Sequence, residues 1–254
     1  MLTDIRYDVV VFVVVVALAT MVYTLRYRRP HSLTMVQKNI LATNYGSFTT
    51  LYALFLGLAV VTLLQTYNDV EAAATDEADL LLTQYDISKD LGNSEPFRMA
   101  VTEYTAYVGG QGWKNMRQGL PSDGAQALYR TAWKALRAMK PKNSEDAYLY
   151  AFMLDKMVSI DKLRHKRILA IAGNLYAPIW VLVFTGLLFT IFGFYYIDSG
   201  HNEADIYYIA MVLSLILGSI FLLYELDTPF SGVISIGPER FEAAWRAMSA
   251  PAGP

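Results

Sequence analysis

The carboxylates are the residues of this chain best placed to do chemistry, and they cluster. Asp69, Glu71, Asp76, Glu77 and Asp79 follow one another with no Lys or Arg between them, and Lys156, Lys162, Arg164, Lys166 and Arg167 form the opposite cluster, with Asp155 and Asp161 among them. On two helices running in opposite directions the clusters could meet as salt bridges, or each could be a separate solvated face. Exposed pairs are worth only about 0–1 kcal/mol, so energy does not choose between these readings. Glu203 with Asp205, and Glu225 with Asp227, are carboxylate pairs of the kind used in acid–base work. They sit at the ends of apolar runs, where solvated acids are common, so catalysis is not expected from them. His31, His165 and His201 lie far apart, outside any metal-ligand spacing. The absence of cysteine excludes disulfides, thiolate catalysis and Cys-ligated metals. No phosphate loop, nucleophile elbow or His-Glu zinc helix occurs, and Gly109-Gly110-Gln111-Gly112 reads as a flexible turn. Neither an enzyme nor a bound cofactor or metal is expected.

The elements that position these charges are dominated by lipid-soluble helices. The chain has 254 residues, 54% of them hydrophobic and 17% charged, with a formal charge of −2. That balance is too apolar for an ordinary soluble protein and, with no long basic run, gives no sign of nucleic-acid binding. Val9–Leu25, Phe48–Leu64, Tyr176–Ile197 and Ile206–Leu226 lack ionisable Asp, Glu, Lys, Arg or His except Glu225. A helix of roughly 20 apolar residues crosses the hydrocarbon, so an all-α integral membrane protein with four spans is predicted. Ala17-Leu18-Ala19 looks like a cleavage site, but apolar residues continue through Leu25, so a retained span is expected.

The predicted organisation is a transmembrane hairpin over 1–67, a helical extramembrane insert over 68–167, a second hairpin over 168–232 and an amphipathic tail over 233–254. Tyr67, Val70, Ala74, Ala78, Leu81 and Tyr85 keep one apolar stripe at three- and four-residue spacing, which extends the second span as one helix to about Leu91. Phe97, Val101, Tyr104 and Val108 predict a short helix ended by the Gly109–Gly112 stretch. Leu128, Ala132, Leu136 and Met139 predict another, begun near Ser122-Asp123 and stopped by Pro141. Ser144 reads as the N-cap of a further helix, acidic in its first turn, that runs straight into the third span. Tyr104, Tyr107, Trp113, Tyr129, Trp133, Tyr148 and Tyr150 could form either the insert's own core or a docking surface. Gly57, Ala59, Gly186, Gly193 and Gly218 are small residues suited to close helix packing.

Charge-free spans count against proton-coupled transport, which usually needs intramembrane carboxylates or histidines. A passive pore with a hydrophobic constriction stays open to such helices if several copies surround an axis. Orientation is even on internal evidence. Arg26, Arg28, Arg29 and Lys38 argue for a cytoplasmic first loop, whereas Lys156 to Arg167 argue for a cytoplasmic insert.

Three segments together resemble the bacterial bestrophin-like membrane family: Leu226-Asp227-Thr228-Pro229-Phe230-Ser231-Gly232, Gly46 through Glu77-Ala78, and Leu175-Tyr176-Ala177-Pro178-Ile179-Trp180. Within the first, Asp227, Pro229, Phe230, Ser231 and Gly232 form the family motif. The second span is similar to that of true bestrophins, which are pentameric anion or cation channels. The resemblance implies that Leu54 and Leu58 match the bulky residues of the channel neck, on either side of Gly57, and Thr50 lies one turn earlier by helical spacing. As ordinary span residues, Leu54 and Leu58 would simply pack against other helices. The chain departs from bestrophins at Thr66-Tyr67-Asn68, in place of a basic residue and two tryptophans, and lacks their acidic calcium-binding run after Pro229-Phe230. Calcium gating is not implied.

The resemblance also implies a homo-oligomer, a pentamer by analogy, in a bacterial inner membrane with the insert and both termini cytoplasmic. Asp69, Glu71, Asp76 and Glu77 from several copies would make an acidic vestibule that concentrates cations. Membrane lipid is the expected surrounding partner. The alternative is a non-conducting accessory or scaffold subunit bound to a membrane-protein partner.

Overall fold

The structure is a computed structural model that describes residues 34–121, 123–173, 175–196 and 202–250, together with Met21 and Thr24. The expected first span, Val9–Leu25, lies outside the described residues apart from Met21 and Thr24, which are helical. Among the described residues all regular structure is helical: α1 (Met35–Ser88), α2 (Glu95–Tyr107), α3 (Trp113–Arg117), α4 (Asp123–Ala138), α5 (Ser144–Leu169), α6 (Ala177–Tyr196), α7 (Asn202–Asp227) and α8 (Glu239–Ser249). Three stretches of these are long and apolar enough to cross a membrane: within Met35–Ser88, within Ser144–Phe194 and over Glu203–Asp227.

The chain divides into two compact units. The first comprises Met1–Gln65 and Leu175–Asp227, the second Thr66–Asn174 and Thr228–Pro254.

In the first unit, tyrosines of α1 enter notches that glycines leave in α6. Tyr52 is buried and its hydroxyl donates to the Val183 carbonyl at 2.7 Å. A Cβ added to Gly186 would stand 2.1 Å from the Tyr52 ring. One heptad away the arrangement repeats, with the Tyr45 hydroxyl donating to the Thr190 carbonyl at 3.3 Å and a Cβ on Gly193 falling 2.0 Å from the ring. Small residues that admit a neighbour closely are the usual basis of helix packing in lipid, where no hydrophobic force draws helices together. Gly57 and Gly218, predicted to serve the same end, have nothing within 4 Å of an added Cβ.

In the second unit the apolar stripe of α1 packs into a true core. Val70, Ala74, Ala78 and Leu81 are buried with Phe97, Val101 and Tyr104 of α2, Tyr129, Ala132 and Leu136 of α4, Met153, Met157 and Ile160 of α5, and Phe241 and Met248 of α8. Helices at this spacing bury one face each, which is why the amphipathic pattern is so regular here. The tail, read from sequence as a segment of its own, belongs to this unit through α8.

Three sequence expectations give way. The Gly109–Gly112 stretch does not break the chain: Val108–Gly112 forms one π-helical turn that carries α2 into α3. Its glycine serves close approach, because a Cβ on Gly109 would come within 3.2 Å of Phe241 Cβ. The N-cap of α5 is Asn143, not Ser144; its extended backbone lets the side chain accept the Asp146 N–H at 2.7 Å. Finally, α5 does not run straight into the third span. It ends at Leu169, passes through a 3₁₀ turn at Ala170–Ala172, and reaches Gly173 at φ 85°, a left-handed conformation that a helix cannot continue through.

Candidate functional site

The residues expected at a pore neck share an exposed face of α1. Leu54 and Leu58 are 60% and 61% exposed, and Thr50 and Gly57 are exposed with them. The opposite side carries Tyr52, Leu56 and Leu63, all buried. The Thr50 hydroxyl is turned back on its own helix, donating to the Gly46 carbonyl at 2.9 Å. Within this unit, an apolar groove of about 650 Å³ borders Thr50 and Gly57 on α1 and Val212, Leu215 and Ser219 on α7.

The four carboxylates expected in a vestibule separate. Asp69, Glu71 and Asp76 are exposed, and Asp69 pairs with Lys166 at 3.2 Å. Glu77 is wholly buried. It lies three residues after Ala74 and four before Leu81, on the stripe that faces the core, so its charge is neutralised inside the unit and not offered to solvent.

Around Glu77 the structure assembles a site that sequence reasoning missed. Arg167 of α5 grips the carboxylate in bidentate fashion, Nε to Oε2 at 2.8 Å and Nη2 to Oε1 at 2.9 Å. The Tyr104 hydroxyl of α2 donates to Glu77 Oε1 at 2.6 Å. Met116 Sδ accepts from Arg167 Nη1 at 3.1 Å, and the guanidinium lies 5.3 Å from the Phe241 ring centroid and 5.9 Å from that of Trp113. Two parallel charge-assisted bonds and aromatic faces supply what a desolvated arginine needs. Burial draws the Arg167 pKa down, but Glu77 and then Tyr104 outweigh it and hold the group charged above its ordinary range. Burial first, and Glu77 second, push the Tyr104 phenol well above its usual value. The question left open by the two charge clusters is answered: Glu77–Arg167 and Asp69–Lys166 pair across antiparallel α1 and α5.

Arg164, one turn before Arg167, is also buried, with Gln126 as hydrogen-bond partner, Asp161 3.9 Å away and the Tyr129 ring 4.9 Å away. Among the described residues, its Nε and Gln84 Oε1 are buried polar atoms with no hydrogen-bond partner.

The motif residues divide between two jobs. Asp227 closes α7 and accepts the Leu175 N–H at 2.6 Å and the Trp180 indole N–H at 3.4 Å, tying the start of α6 to the end of α7. It and Glu225 are buried, so these acids are not the solvated span-end groups the sequence suggested. Pro229, Ser231 and Gly232 form the following turn, with the Ser231 N–H on the Thr228 carbonyl at 3.0 Å and the Ile236 N–H on the Pro229 carbonyl at 2.8 Å. That turn delivers Phe230, buried, edge-on to Trp113 at 5.6 Å, and the Trp113 indole donates to the Ile236 carbonyl at 3.1 Å. Trp113 thus joins the motif to the Arg167–Glu77 pair, a link with no signal in sequence spacing.

Among the described residues no group of three His, Asp or Glu side chains could hold a metal ion. His165 is 67% exposed, and His31 and His201 lie outside the described residues.

Comparison with known proteins now bears on this geometry. The fold is similar to a bacterial bestrophin homologue from Klebsiella pneumoniae, with TM-score 0.69, 11% identity, and 95% of this chain and 97% of that chain covered. A substituted form of that homologue gives 0.66 at 12% identity over 94% and 97%. A crystal structure described only as a membrane protein gives 0.70 at 11% identity over 92% and 95%. No curated protein matches the chain. At such identities the structures speak for the fold alone, but the family model for the bestrophin-like domain matches residues 10–241, nearly the whole chain. A Pro-Phe turn docked on the insert, a long α1 and the matched sequence together make this membrane protein a member of the bestrophin-like family.

Proposed function

We propose that the protein is an oligomeric ion channel whose copies surround an axial path lined by α1. The observation that carries this reading is the exposure of Leu54 and Leu58 in a single chain, on the helix face opposite the Tyr52 contact. Large apolar residues left more than half exposed among the described residues suit a narrow neck shared by neighbours, which gates by excluding water. Thr50 and Gly57 line the same neck. A pentamer fits the family resemblance, as does an inner-membrane location with the insert and both termini cytoplasmic.

Steps of three and four residues along α1 lead from Leu54 through Leu58, Val61, Gln65, Asn68 and Ala72 to Asp76 and Asp79, every one exposed. The vestibule is therefore assigned to Asp76 and Asp79, with Asp69 and Glu71 at its sides and Glu77 withdrawn. Repeated around an axis, these carboxylates concentrate cations at the mouth.

Planar-bilayer recording of the purified protein tests the reading. Channels should appear, Leu54→Ala with Leu58→Ala should raise their conductance, and Asp76→Asn with Asp79→Asn should lower cation preference. An absence of conductance, or conductance indifferent to the neck pair, rejects the proposal.

A further inference from the structure

The exposed side of α4 carries Arg130, Lys134 and Arg137 at intervals of four and three residues, which places them along one helical face, and Lys140 follows just beyond the helix end. Arg137 rests over the Trp133 ring at 5.0 Å, and among the described residues none of the four is within ion-pair distance of a carboxylate. Asp123 is the one acidic residue between Lys114 and Lys142. In a chain of net charge −2 this is a marked local excess of positive charge. Nothing in the proposed conduction path uses it.

We propose that this face docks an acidic polypeptide segment, one presenting carboxylates at helical or similarly close spacing. Charge complementarity carries the choice of partner, and two features narrow it. First, the apolar side of α4 is already committed: Ala125, Tyr129, Ala132 and Leu136 are buried in the core. Ala127, Thr131 and Ala138 stand beside the cations, and the large apolar side chain among them, Trp133, packs against the core beneath Arg137, so the face offers little apolar surface to a bilayer. Second, the row is short and the same unit carries Asp69, Glu71, Asp76, Asp79 and Asp86 on α1. That would repel a long polyanion such as duplex nucleic acid but tolerate a short acidic segment.

The test uses full-length protein in detergent and a fluorescein-labelled Ala-rich peptide of about 14 residues carrying Glu at three- and four-residue spacing. Its counterpart carries Gln at the same positions. The Glu peptide should bind and the Gln peptide should not, with binding weakened by added salt. Arg130→Glu with Lys134→Glu and Arg137→Glu should weaken it about tenfold or more, as expected for three lost charge pairs. The corresponding Gln variants should lose less and guard against misfolding of the reversal. Lys114→Glu with Arg117→Glu, on α3, should leave binding unchanged. Failure of the Glu peptide to bind, or equal loss from the α3 pair, overturns the proposal. So does displacement of the peptide by phosphatidylglycerol vesicles or duplex DNA at lower charge concentration than an acidic competitor peptide. A change in the mass of the assembly on reversing the α4 charges would show that a second copy occupies the face, and would overturn it too. Bilayer conductance is not the readout, so this result stands apart from the channel reading.

Discussion

The two units of the molecule solve the same problem, holding helices together, by different physics. In the first, α1 and α6 meet through shape: Tyr45 and Tyr52 fill the notches at Gly193 and Gly186, and each hydroxyl reaches a backbone carbonyl. In the second, a continuous apolar core closes over one desolvated ion pair, Glu77–Arg167, with Tyr104 completing its hydrogen bonds. Where the surroundings are as apolar as the side chains, only close fit and polar contacts distinguish one partner from another. Where water is the alternative, burial drives association, and a buried pair matters most for what happens when half of it is removed.

The largest effect should therefore come from splitting the buried pair. Glu77→Ala leaves the Arg167 charge in the core and should cost about 3–5 kcal/mol, read by chemical or thermal unfolding in detergent. Replacing both partners by methionine should recover most of that loss, because no uncompensated charge remains. A double variant as unstable as the single one would contradict this account of the second unit.

Next in size are the notches. Gly186→Ala and Gly193→Ala force a methyl group into a tyrosine ring, an overpacking expected to cost about 1–3 kcal/mol each. Gly57→Ala and Gly218→Ala, which meet nothing within 4 Å, should leave the melting temperature of the protomer unchanged or slightly raised. Equal losses at all four glycines would erase the distinction between packed and open positions.

The Asn143 cap comes third: Asn143→Ala should destabilise by about 1 kcal/mol, with Ser144→Ala close to neutral. Smallest is the exposed Asp69–Lys166 pair. Lys166→Ala should change stability by about 0–1 kcal/mol, in contrast to Arg167→Ala one residue later.

What was legible in the sequence follows the same division. Charge-free runs announced α6 and α7, and the stripe Val70, Ala74, Ala78, Leu81 announced the continuation of α1, because periodic burial writes itself into spacing. Glu77 was readable in the same way, since it falls on that stripe, but a glutamate among exposed acids looks like one more of them. The Gly109–Gly112 turn misled because glycine marks both chain breaks and close approaches, and only the position of Phe241 shows which is meant. Trp113 and Arg167 come together across long sequence separations through a Pro-Phe turn, and no local pattern predicts such a meeting. The neck face is implied by resemblance alone, and the structure adds that Leu54 and Leu58 are more than half exposed among the described residues.

The central claim is that the Leu54 face of α1 borders a water-filled path shared between copies. The chain has no cysteine, so Leu54→Cys introduces a single thiol, and Tyr52→Cys introduces one on the buried side of the same helix. Bilayer currents from the Leu54→Cys protein should be blocked by a charged methanethiosulfonate reagent and restored by a reducing agent, while those from Tyr52→Cys should be unaffected. Currents that ignore modification at position 54, or that respond equally at position 52, would contradict a path along this face.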